Sequence, residues 1–338
     1  MQDKYAIVVT TVNAPTRAVK EISQNLYRLD AHFVIVGDAA SPEDFEQAGA
    51  DYLDLDRQAK TGFYLASVAP KKHYSRKNIG YLYAIQNGAT IIVETDDDNI
   101  PTSEFWSPRQ ILQSGPLFKD MGWLNVYNLF SDSLVWPRGL PLNRVKDAVP
   151  ELEVAPIVEL ACPIQQGLAD GDPDVDAIYR LLFFLPITFK KRNPVLLNGK
   201  TRCPFNSQNT TWWRQAFALL YLPSYCSFRM TDIWRSFVAQ RIAQTNDWSL
   251  SFHNATMFQQ RNEHNLMTDF EEEVSGYLRN EEIVNVLDAL VLEKGMSNLG
   301  ANMRKCYRAL IDLGVVGEKE TDLLEAWIMD MQILKVII

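Results

Sequence analysis

Apolar, β-branched segments alternate with helix-forming segments over the first hundred residues, and this alternation constrains the fold most strongly. Residues 5–11 and 90–93 are apolar or β-branched throughout, which is typical of strands buried on both faces. A helical pattern covers residues 17–29, and a second strand is predicted at 32–36. This order predicts an α/β fold, with a Rossmann-like, mixed and mostly parallel sheet flanked by helices.

A further helix is predicted directly before the strand at 90–93. Ser75 is its expected N-cap, and Gly88 is expected to end it. Ligands of such sheets bind beyond the carboxyl ends of the strands. Asp38 follows the second strand and Asp96 follows the strand at 90–93, so both are expected on one rim of the sheet.

The C-terminal part of the sequence predicts helices only, beginning at about Arg279. Apolar residues recur there at spacings of three and four in three segments, 281–293, 301–313 and 318–334. We therefore predict an α/β domain over residues 1–270 and a C-terminal helical module over residues 271–338.

The charge balance of the 338 residues, 42 acidic against 33 basic, gives a net charge of −9. This excludes a general nucleic-acid-binding protein, which needs a basic face to neutralise phosphates.

The four cysteines are widely spaced, so reduced thiols are expected. No secretory signal precedes the first strand, and no apolar run reaches the roughly 20 residues that span a bilayer. A cytoplasmic protein is expected.

A carboxylate cluster, residues 94–99 (ETDDDN), follows the strand at 90–93. Three adjacent aspartates repel each other, and aspartate is depleted in strands. Mn²⁺ or Mg²⁺ would remove the conflict, because these cations take oxygen ligands and share them with substrate phosphates. In an extended segment Asp96 and Asp98 would face one side and Asp97 the other. The alternative is an exposed acidic turn.

A basic segment, residues 71–77, lies where the helix before the cluster begins. Cations are unfavourable at a helix N-terminus unless an anion is bound there. A diphosphate between the metal and Arg76 or Lys77 would satisfy both charged clusters. The alternative is a solvated basic loop.

Several contiguous sequence motifs of this chain resemble those of one protein family. Residues 75–85 (SRKNIGYLYAI), followed by the carboxylate cluster, are similar to the STELLO glycosyltransferases. Further segments match the family in the same order: 36–38, 136–139, 204–210, 220–223, 231–235 and 239–241. The likeness therefore covers roughly residues 5–265. The family's best-known members are membrane-anchored plant Golgi proteins. This chain shows no such anchor and is expected to be a soluble, microbial relative.

The resemblance implies a GT-A glycosyltransferase fold and a donor site on the predicted rim. It implies that Asp38 contacts the nucleoside and that Arg76 contacts the base or the diphosphate. Thr11, Lys77 and Asp97 complete the predicted nucleotide-sugar site.

The resemblance also implies a metal site. Asp98 is expected to be the principal ligand, and Asp96 is expected to hold the metal or the ribose. GT-A enzymes often take a further ligand from a late histidine, for which His253 is the candidate and His264 the reserve. A structural histidine is the alternative.

An inverting transfer also needs a general base within reach of the acceptor hydroxyl. Asp232, which precedes a helical run to about Ala243, fits this role, with N-capping or pairing with Arg235 as the alternative. Polar side chains in the middle of the chain are candidates for acceptor binding, with a solvated turn as the alternative for the aspartates: Asn206, Gln208, Asp174 and Asp176. Trp212 and Trp213 could stack on a sugar or pack in the core.

Together these predictions describe a metal-dependent glycosyltransferase. It would move a sugar from a nucleotide-sugar, a UDP-sugar by resemblance, to a glycan or lipid-linked glycan, as in surface polysaccharide synthesis. Residues 172–177 also resemble the reversibly glycosylated polypeptides, so a mutase of the UDP-arabinopyranose type is one alternative. A non-catalytic scaffold is the other.

Overall fold

The computed structural model describes residues 3–260 and 265–337. Its centre is an eleven-stranded sheet. The strands are β1 (Tyr5–Thr10), β2 (His32–Val36), β3 (Ala50–Leu53), β4 (Ile91–Thr95), β5 (Asn99–Pro101), β6 (Leu112–Lys119), β7 (Ile157–Ala161), β8 (Ile164–Gly171), β9 (Val195–Asn198), β10 (Asn209–Trp213) and β11 (Leu250–Gln259). The helices are α1 (Arg17–Asn25), α2 (Leu55–Ala59), α3 (Tyr64–Val68), α4 (Lys77–Gln86), α5 (Val126–Leu129), α6 (Ala177–Leu182), α7 (Thr231–Thr245), α8 (Leu266–Ala289), α9 (Leu299–Asp312) and α10 (Glu320–Ile333).

The sheet has the strand order β3-β2-β1-β4-β10-β8-β11-β9-β6-β7, and β5 pairs with β11. Strands β1 to β4 are parallel to each other, and β10 is antiparallel to both β4 and β8. Following the pairings, β7, β8 and β11 point the same way as β1, whereas β5, β6, β9 and β10 point the opposite way. The predicted α/β class, with a mixed, mostly parallel sheet and flanking helices, is confirmed.

Helix α4 packs closely against the first strands and so sets the position of its own N-terminus at the rim. Gly80 makes this approach possible. A Cβ atom there would lie 2.6 Å from Val36 Cγ2 and 2.8 Å from Val8 Cγ1. The start of α4, which carries Arg76 and Lys77, is therefore held next to the carboxyl ends of β1 and β2.

The predicted N-cap of α4 at Ser75 is wrong. The chain enters the helix through a 3₁₀ turn at residues 74–76, so α4 begins only at Lys77. His73 caps this turn, because its Nδ1 accepts a hydrogen bond of 3.1 Å from Ser75 N. Ser75 Oγ instead lies 2.7 Å from Ser224 Oγ.

Strand β4 is longer than predicted and contains Glu94, which is fully buried. The Glu94 carboxylate accepts hydrogen bonds from Trp212 Nε1 (2.8 Å), from Arg235 Nη1 (2.8 Å) and from the Tyr81 hydroxyl. Glu94 therefore belongs to the core and not to the carboxylate cluster, which begins at Asp96. The same contact places Trp212 in the core, away from any sugar.

The C-terminal helices begin earlier than predicted, at Leu266, and α8 crosses residue 270. Helix α10 contacts the start of α3 through the buried Asp330. This carboxylate accepts hydrogen bonds of 2.9 Å from the backbone N–H groups of Tyr64 and Leu65. The division into residues 1–270 and 271–338 stays a prediction. None of the helices in the described ranges combines the length and apolar character that a membrane span needs.

Candidate functional site

Two adjoining cavities open at the carboxyl ends of β1, β2 and β4. The β2 cavity, of about 530 Å³, is lined by Thr11, Asp38, Arg76 and their neighbours. The aspartate cavity, of about 340 Å³, is lined by the three aspartates 96–98 together with Asp174 and Asp232. The two cavities share wall residues: Thr10, Val12, Tyr74, Asp97 and Phe228. One extended ligand could therefore occupy both.

Asp38 anchors the wall of the β2 cavity. Its Oδ1 accepts a hydrogen bond of 2.6 Å from Ala39 N, and its Oδ2 accepts one of 2.8 Å from His73 N. The carboxylate thereby joins the end of β2 to the segment that leads into α4. Thr11 lies beside it, since Thr11 N donates to Val36 O at 3.0 Å.

Arg76 brings a positive charge to the same cavity without a carboxylate in ion-pair contact among the described residues. Its Nε donates to Gln58 Oε1 at 2.8 Å, and its Nη1 donates to the carbonyl oxygens of Ala69 and Pro70 at 3.0 and 3.1 Å. Burial lowers the pKa of Arg76, although the nearby charge of Asp38 opposes this effect. The guanidinium is thus fixed by neutral groups, and its charge remains available to an anionic ligand.

Lys77 does not line either cavity. Its side chain is fully buried, and Nζ donates to Asp96 Oδ1 at 2.9 Å and to Ser207 O at 3.3 Å. Successive helical residues point about 100° apart, so Lys77 faces the protein interior while Arg76 faces the β2 cavity. This geometry does not support the predicted contact of Lys77 with a nucleotide-sugar, because its ammonium is engaged by Asp96.

The aspartates 96–98 form a turn and not an extended segment, so the predicted alternation of their side chains is wrong. All three line the aspartate cavity. Asp97 is held by the Thr11 hydroxyl and by Asn13 Nδ2, the latter at 3.0 Å. Asp98 Oδ2 accepts a hydrogen bond of 3.0 Å from Gln259 Nε2 on β11. The turn therefore brings β1, β4 and β11 together at one point.

The electrostatic surroundings of Asp96 work against its ionisation. Partial burial raises the pKa of Asp96, and the charges of Asp232 and Asp97 raise it further, whereas Lys77 lowers it. The result is a pKa above the usual range. A positively charged ligand at this position would relieve the repulsion.

Asp232 lies in the first turn of α7, and not before the helix as predicted, and it lines the aspartate cavity; Met230 is the N-cap. Asp232 pairs with Arg138, whose Nη1 and Nη2 make three hydrogen bonds of 3.1 Å to it. The same guanidinium holds Asp174 through bonds of 2.8 and 2.9 Å. No hydrogen bond or ion pair joins Asp232 to Arg235 among the described residues, and Arg235 Nη1 donates to Glu94 instead.

Asp232 is held in its ionised form. Burial favours the neutral acid, but the charges of Arg138 and Arg235 and the hydrogen bond from Ser207 N together lower the pKa of Asp232 below its usual value. Ser207 N adds a fourth hydrogen bond, of 3.2 Å, to the three from Arg138. The roughly four acceptor positions of the carboxylate are therefore all engaged.

The predicted acceptor residues divide into two groups. Gln208 and Asp174 line the aspartate cavity, and Gln208 Nε2 donates to the side chain of Gln259. Asn206 instead turns inward, where its Oδ1 accepts a hydrogen bond of 3.0 Å from Gln208 N. Its predicted contact with an acceptor is not supported by this geometry.

Asp176 is the N-cap of α6 and does not line the aspartate cavity. Its Oδ1 accepts from Tyr179 N at 2.7 Å, and its Oδ2 accepts from Trp136 Nε1 at 2.6 Å. Burial raises the pKa of Asp176 to about 7. The alternative of a solvated turn is wrong, because Asp176 is fully buried, and the predicted acceptor role is not supported by a carboxylate whose oxygens bind a helix start and an indole.

His253 does not accompany the aspartates. It lies opposite Gly167 of β8, whereas Gln259 lies opposite Gly171, four residues or roughly 13 Å further along that strand. His253 lines a separate cavity of about 230 Å³ together with Arg109 and Arg192, called the arginine cavity below. Burial and the charge of Arg109 lower the pKa of His253 to about 4. This position does not support His253 as a ligand of a metal at Asp98, and His264, the reserve, lies outside the described residues.

The aspartate cavity fits a divalent cation only in combination with a ligand. No group of three His, Cys, Asp or Glu side chains in residues 3–260 and 265–337 is arranged to hold a metal ion. Asp96 and Asp98 nevertheless both line the cavity and offer the carboxylate oxygens that Mg²⁺ and Mn²⁺ prefer. Such cations are commonly held by one or two carboxylates and by substrate phosphates. The residues present fit that kind of site.

Several residues of the aspartate cavity were not singled out from the sequence as functional, among them Tyr74, Arg138, Phe228, Arg229 and Gln259. For Arg138 a signal existed, because it lies in the motif at 136–139. Its two carboxylate partners are 36 and 94 residues away in sequence, and only the fold brings them together.

Comparison with known proteins identifies relatives of this chain. Residues 229–337 match the family model described as STELLO glycosyltransferases. The Arabidopsis thaliana protein named "Probable glycosyltransferase STELLO2" is 32% identical over 256 residues, which cover 70% of this chain. "Probable glycosyltransferase STELLO1" from the same plant is 31% identical over 261 residues, or 71% of this chain. The chain spans 33% of the length of each relative.

Among solved structures, M. tuberculosis glucosyl-3-phosphoglycerate synthase aligns with a TM-score of 0.40 and 11% sequence identity. The alignment covers 82% of this chain and 79% of that chain.

Proposed function

Because this chain carries the STELLO glycosyltransferase region that its motifs predict, we propose that it transfers a sugar from a nucleotide-sugar to a hydroxyl acceptor. The donor is a UDP-sugar, and Mn²⁺ or Mg²⁺ is bound with it at Asp96 and Asp98. The acceptor is a hydroxyl of a glycan or lipid-linked glycan. The cation would stabilise the diphosphate that leaves.

The observation that carries this proposal is the pair of adjoining cavities with different charge balances: Lys72 and Arg76 face Asp38 and Asp97 in the β2 cavity, whereas the aspartate cavity is strongly acidic. The β2 cavity contains Arg76, whose charge is not matched by an ion pair among the described residues, and Asp38. The aspartate cavity contains five carboxylates against two arginines. A ligand with a nucleoside, a diphosphate and a sugar in sequence would place its anionic part between them.

The residues present suggest a division of roles. Asp38 and Arg76 would bind the nucleoside and the diphosphate in the β2 cavity, next to Thr11 and Asp97. Asp174 and Gln208 would bind the acceptor in the aspartate cavity.

In the transfer itself, the acceptor oxygen forms a bond to the anomeric carbon of the sugar while the bond from that carbon to the diphosphate breaks. The proton of the acceptor hydroxyl passes to the Asp232 carboxylate. Asp232 must release one of its bonds to Arg138 or Ser207 to accept it, since its acceptor positions are all engaged.

A thermal-shift screen of nucleoside diphosphates with and without Mn²⁺ tests the donor and the metal together. We expect UDP with Mn²⁺ to raise the unfolding temperature more than either alone, because a ligand that binds only the folded state stabilises it. The absence of a shift with any nucleoside diphosphate would contradict the proposal.

Incubation of UDP-hexoses and UDP-pentoses with Mn²⁺ and no acceptor then separates transfer from isomerisation. A mutase would produce an isomeric sugar nucleotide under these conditions, whereas a transferase produces none. Formation of the isomer would replace the proposed function with the mutase alternative.

A further inference from the structure

The arginine cavity is separate from the proposed donor and acceptor site. His253 lines it, while Gln259, at the other end of β11, lines the aspartate cavity. The two cavities share no wall residue, and the β8 partners of His253 and Gln259 lie four residues, or roughly 13 Å, apart. A ligand of the arginine cavity would therefore be a different molecule, or a distant part of a large one.

Two arginines bring unmatched positive charge to this cavity. Neither Arg109 nor Arg192 forms an ion pair with any of the described residues. Glu104, the carboxylate in the cavity wall, accepts a hydrogen bond from Lys191 instead. Arg109 Nη1 donates only to backbone carbonyls, those of Phe105 and Ser107. The whole chain has a net charge of −9, so this positive charge is local.

Arg192 points to a missing hydrogen-bond acceptor. Its Nε atom is buried and has no partner among the described residues. Its backbone is fixed, because Arg192 N donates to Asn254 Oδ1 at 2.6 Å. Buried N–H donors in native proteins are almost always hydrogen-bonded, so this donor indicates an acceptor that the polypeptide does not provide. A phosphate or carboxylate group matches a guanidinium best.

The rest of the wall is neutral and polar. Amide and hydroxyl side chains surround the two arginines: Ser107, Gln110, Gln113, Gln165, Asn254 and Thr256. Such groups both donate and accept hydrogen bonds, as recognition of sugar hydroxyls requires. The volume of about 230 Å³ corresponds to about eight water molecules at ~30 Å³ each, which leaves room for a sugar ring beside the anion.

We infer that the arginine cavity binds an acidic sugar unit, with its phosphate or carboxylate on Arg192 and Arg109 and its hydroxyls on the neighbouring amides. This inference does not depend on the donor and acceptor assignments above.

Calorimetric titration tests the inference at constant ionic strength, in the presence of saturating UDP and Mn²⁺ so that the proposed donor site is filled. Glucose 1-phosphate and glucuronate distinguish a phosphate from a carboxylate ligand, and inorganic phosphate and glucose test the two halves of the ligand separately. We expect saturable binding of one acidic sugar that is tighter than binding of phosphate or of glucose.

Variants of Arg192 test whether the acidic sugar binds in the arginine cavity. Arg192→Gln should weaken this binding at least tenfold, and Arg192→Lys, which keeps the charge but loses Nε, should weaken it less. Arg28→Gln, at an exposed arginine outside the cavity, is the matched control and should bind as the wild type does. UDP binding should be unchanged in all three variants.

The inference is overturned if neither acidic sugar binds saturably, or if Arg192→Gln and Arg192→Lys both bind as tightly as the wild type. The Arg192 side chain makes no hydrogen bond within the described residues, so both variants should fold, and their unfolding temperatures verify this.

Discussion

Arg138 holds Asp232 through three hydrogen bonds of 3.1 Å, and the two side chains are only 7% and 6% exposed. The guanidinium thus keeps the carboxylate ionised and fixes its direction at the wall of the aspartate cavity. A carboxylate held in this way has little freedom to reorient when a substrate arrives. Its contribution should therefore appear in turnover and not in donor affinity.

Asp232→Asn is expected to lower turnover about 10²–10⁴-fold, because the amide cannot accept the acceptor proton. The affinity for nucleotide should stay within about twofold of the wild-type value, since Asp232 does not line the β2 cavity. Steady-state kinetics with the donor found in the screen, together with calorimetry, measure both quantities. Asp132→Asn, at a residue 79% exposed, is the matched control. Near wild-type turnover of Asp232→Asn would mean that another group is the base.

Asp98→Asn should abolish the Mn²⁺-dependent part of UDP binding, because it removes one of the two carboxylates assigned to the cation. His253→Gln should leave that binding unchanged, since His253 lies in the arginine cavity. Titration of UDP into each variant with Mn²⁺ and then with EDTA separates the two contributions. Undiminished Mn²⁺-dependent binding by Asp98→Asn would disprove the metal assignment, and loss of binding in His253→Gln would restore the histidine as a ligand.

The Lys77–Asp96 pair predicts an unequal effect of removing each partner. Asp96→Asn leaves a fully buried ammonium without its carboxylate and should lower the free energy of unfolding by about 3 kcal/mol. Lys77→Met leaves a carboxylate that is 37% exposed to solvent and should cost about 1 kcal/mol.

Urea denaturation of both single variants and of the double variant tests this relationship. The double variant should be more stable than Asp96→Asn alone, because it contains no unpaired buried charge. If the two substitutions simply added, the two side chains would be energetically independent and the structural role assigned to Lys77 would be wrong.

Asp176 predicts a pH-dependent stability. Its pKa is about 7 in the folded protein and about 3.9 in an unfolded chain, so the folded state binds the proton more tightly. The free energy of unfolding should therefore fall as the pH rises from about 4 to 7. Asp176→Asn has no charge to ionise and should lack this decrease.

The comparison is made by denaturation of both proteins at pH 5 and pH 8. The stability of the wild type relative to Asp176→Asn should fall by about 2–4 kcal/mol as the pH rises. The exposed Asp132→Asn serves again as the control and should show no such trend. A difference that does not change with pH would mean that Asp176 is ionised throughout.

The first half of the fold could be predicted because its signals are local. Strand β2 has the predicted bounds, and β1 and β4 differ from prediction by one or two residues at their ends. Parallel strands place their carboxyl ends on one edge, so the meeting of Asp38 and Asp96 on one rim followed from the strand order alone. The STELLO resemblance, which depends on long contiguous motifs, is also confirmed.

The direction of individual side chains could not be predicted in the same way. Arg76 and Lys77 are neighbours of equal charge, yet one faces a cavity and the other the core, and this depends on where α4 begins. His253 and Asp98 were combined because both residue types bind metals, whereas their separation depends on the pairing of β11 with β8. Asp176 became an N-cap because α6 begins directly after it. Each of these outcomes is determined by tertiary contacts.

Glu320, at the start of α10, accepts hydrogen bonds from the backbone N–H groups of Ser224 and Tyr225 at 2.9 and 2.7 Å, and Ser224 in turn contacts Ser75. During synthesis the backbone N–H groups of Ser224 and Tyr225, next to the entry into α4, therefore lack the Glu320 carboxylate as acceptor until α10 has left the ribosome. The β2 cavity and the aspartate cavity can therefore reach their final shape only after α10 has been synthesised. A shortened protein ending near residue 270 would lack Glu320 and therefore this support for the entry into α4.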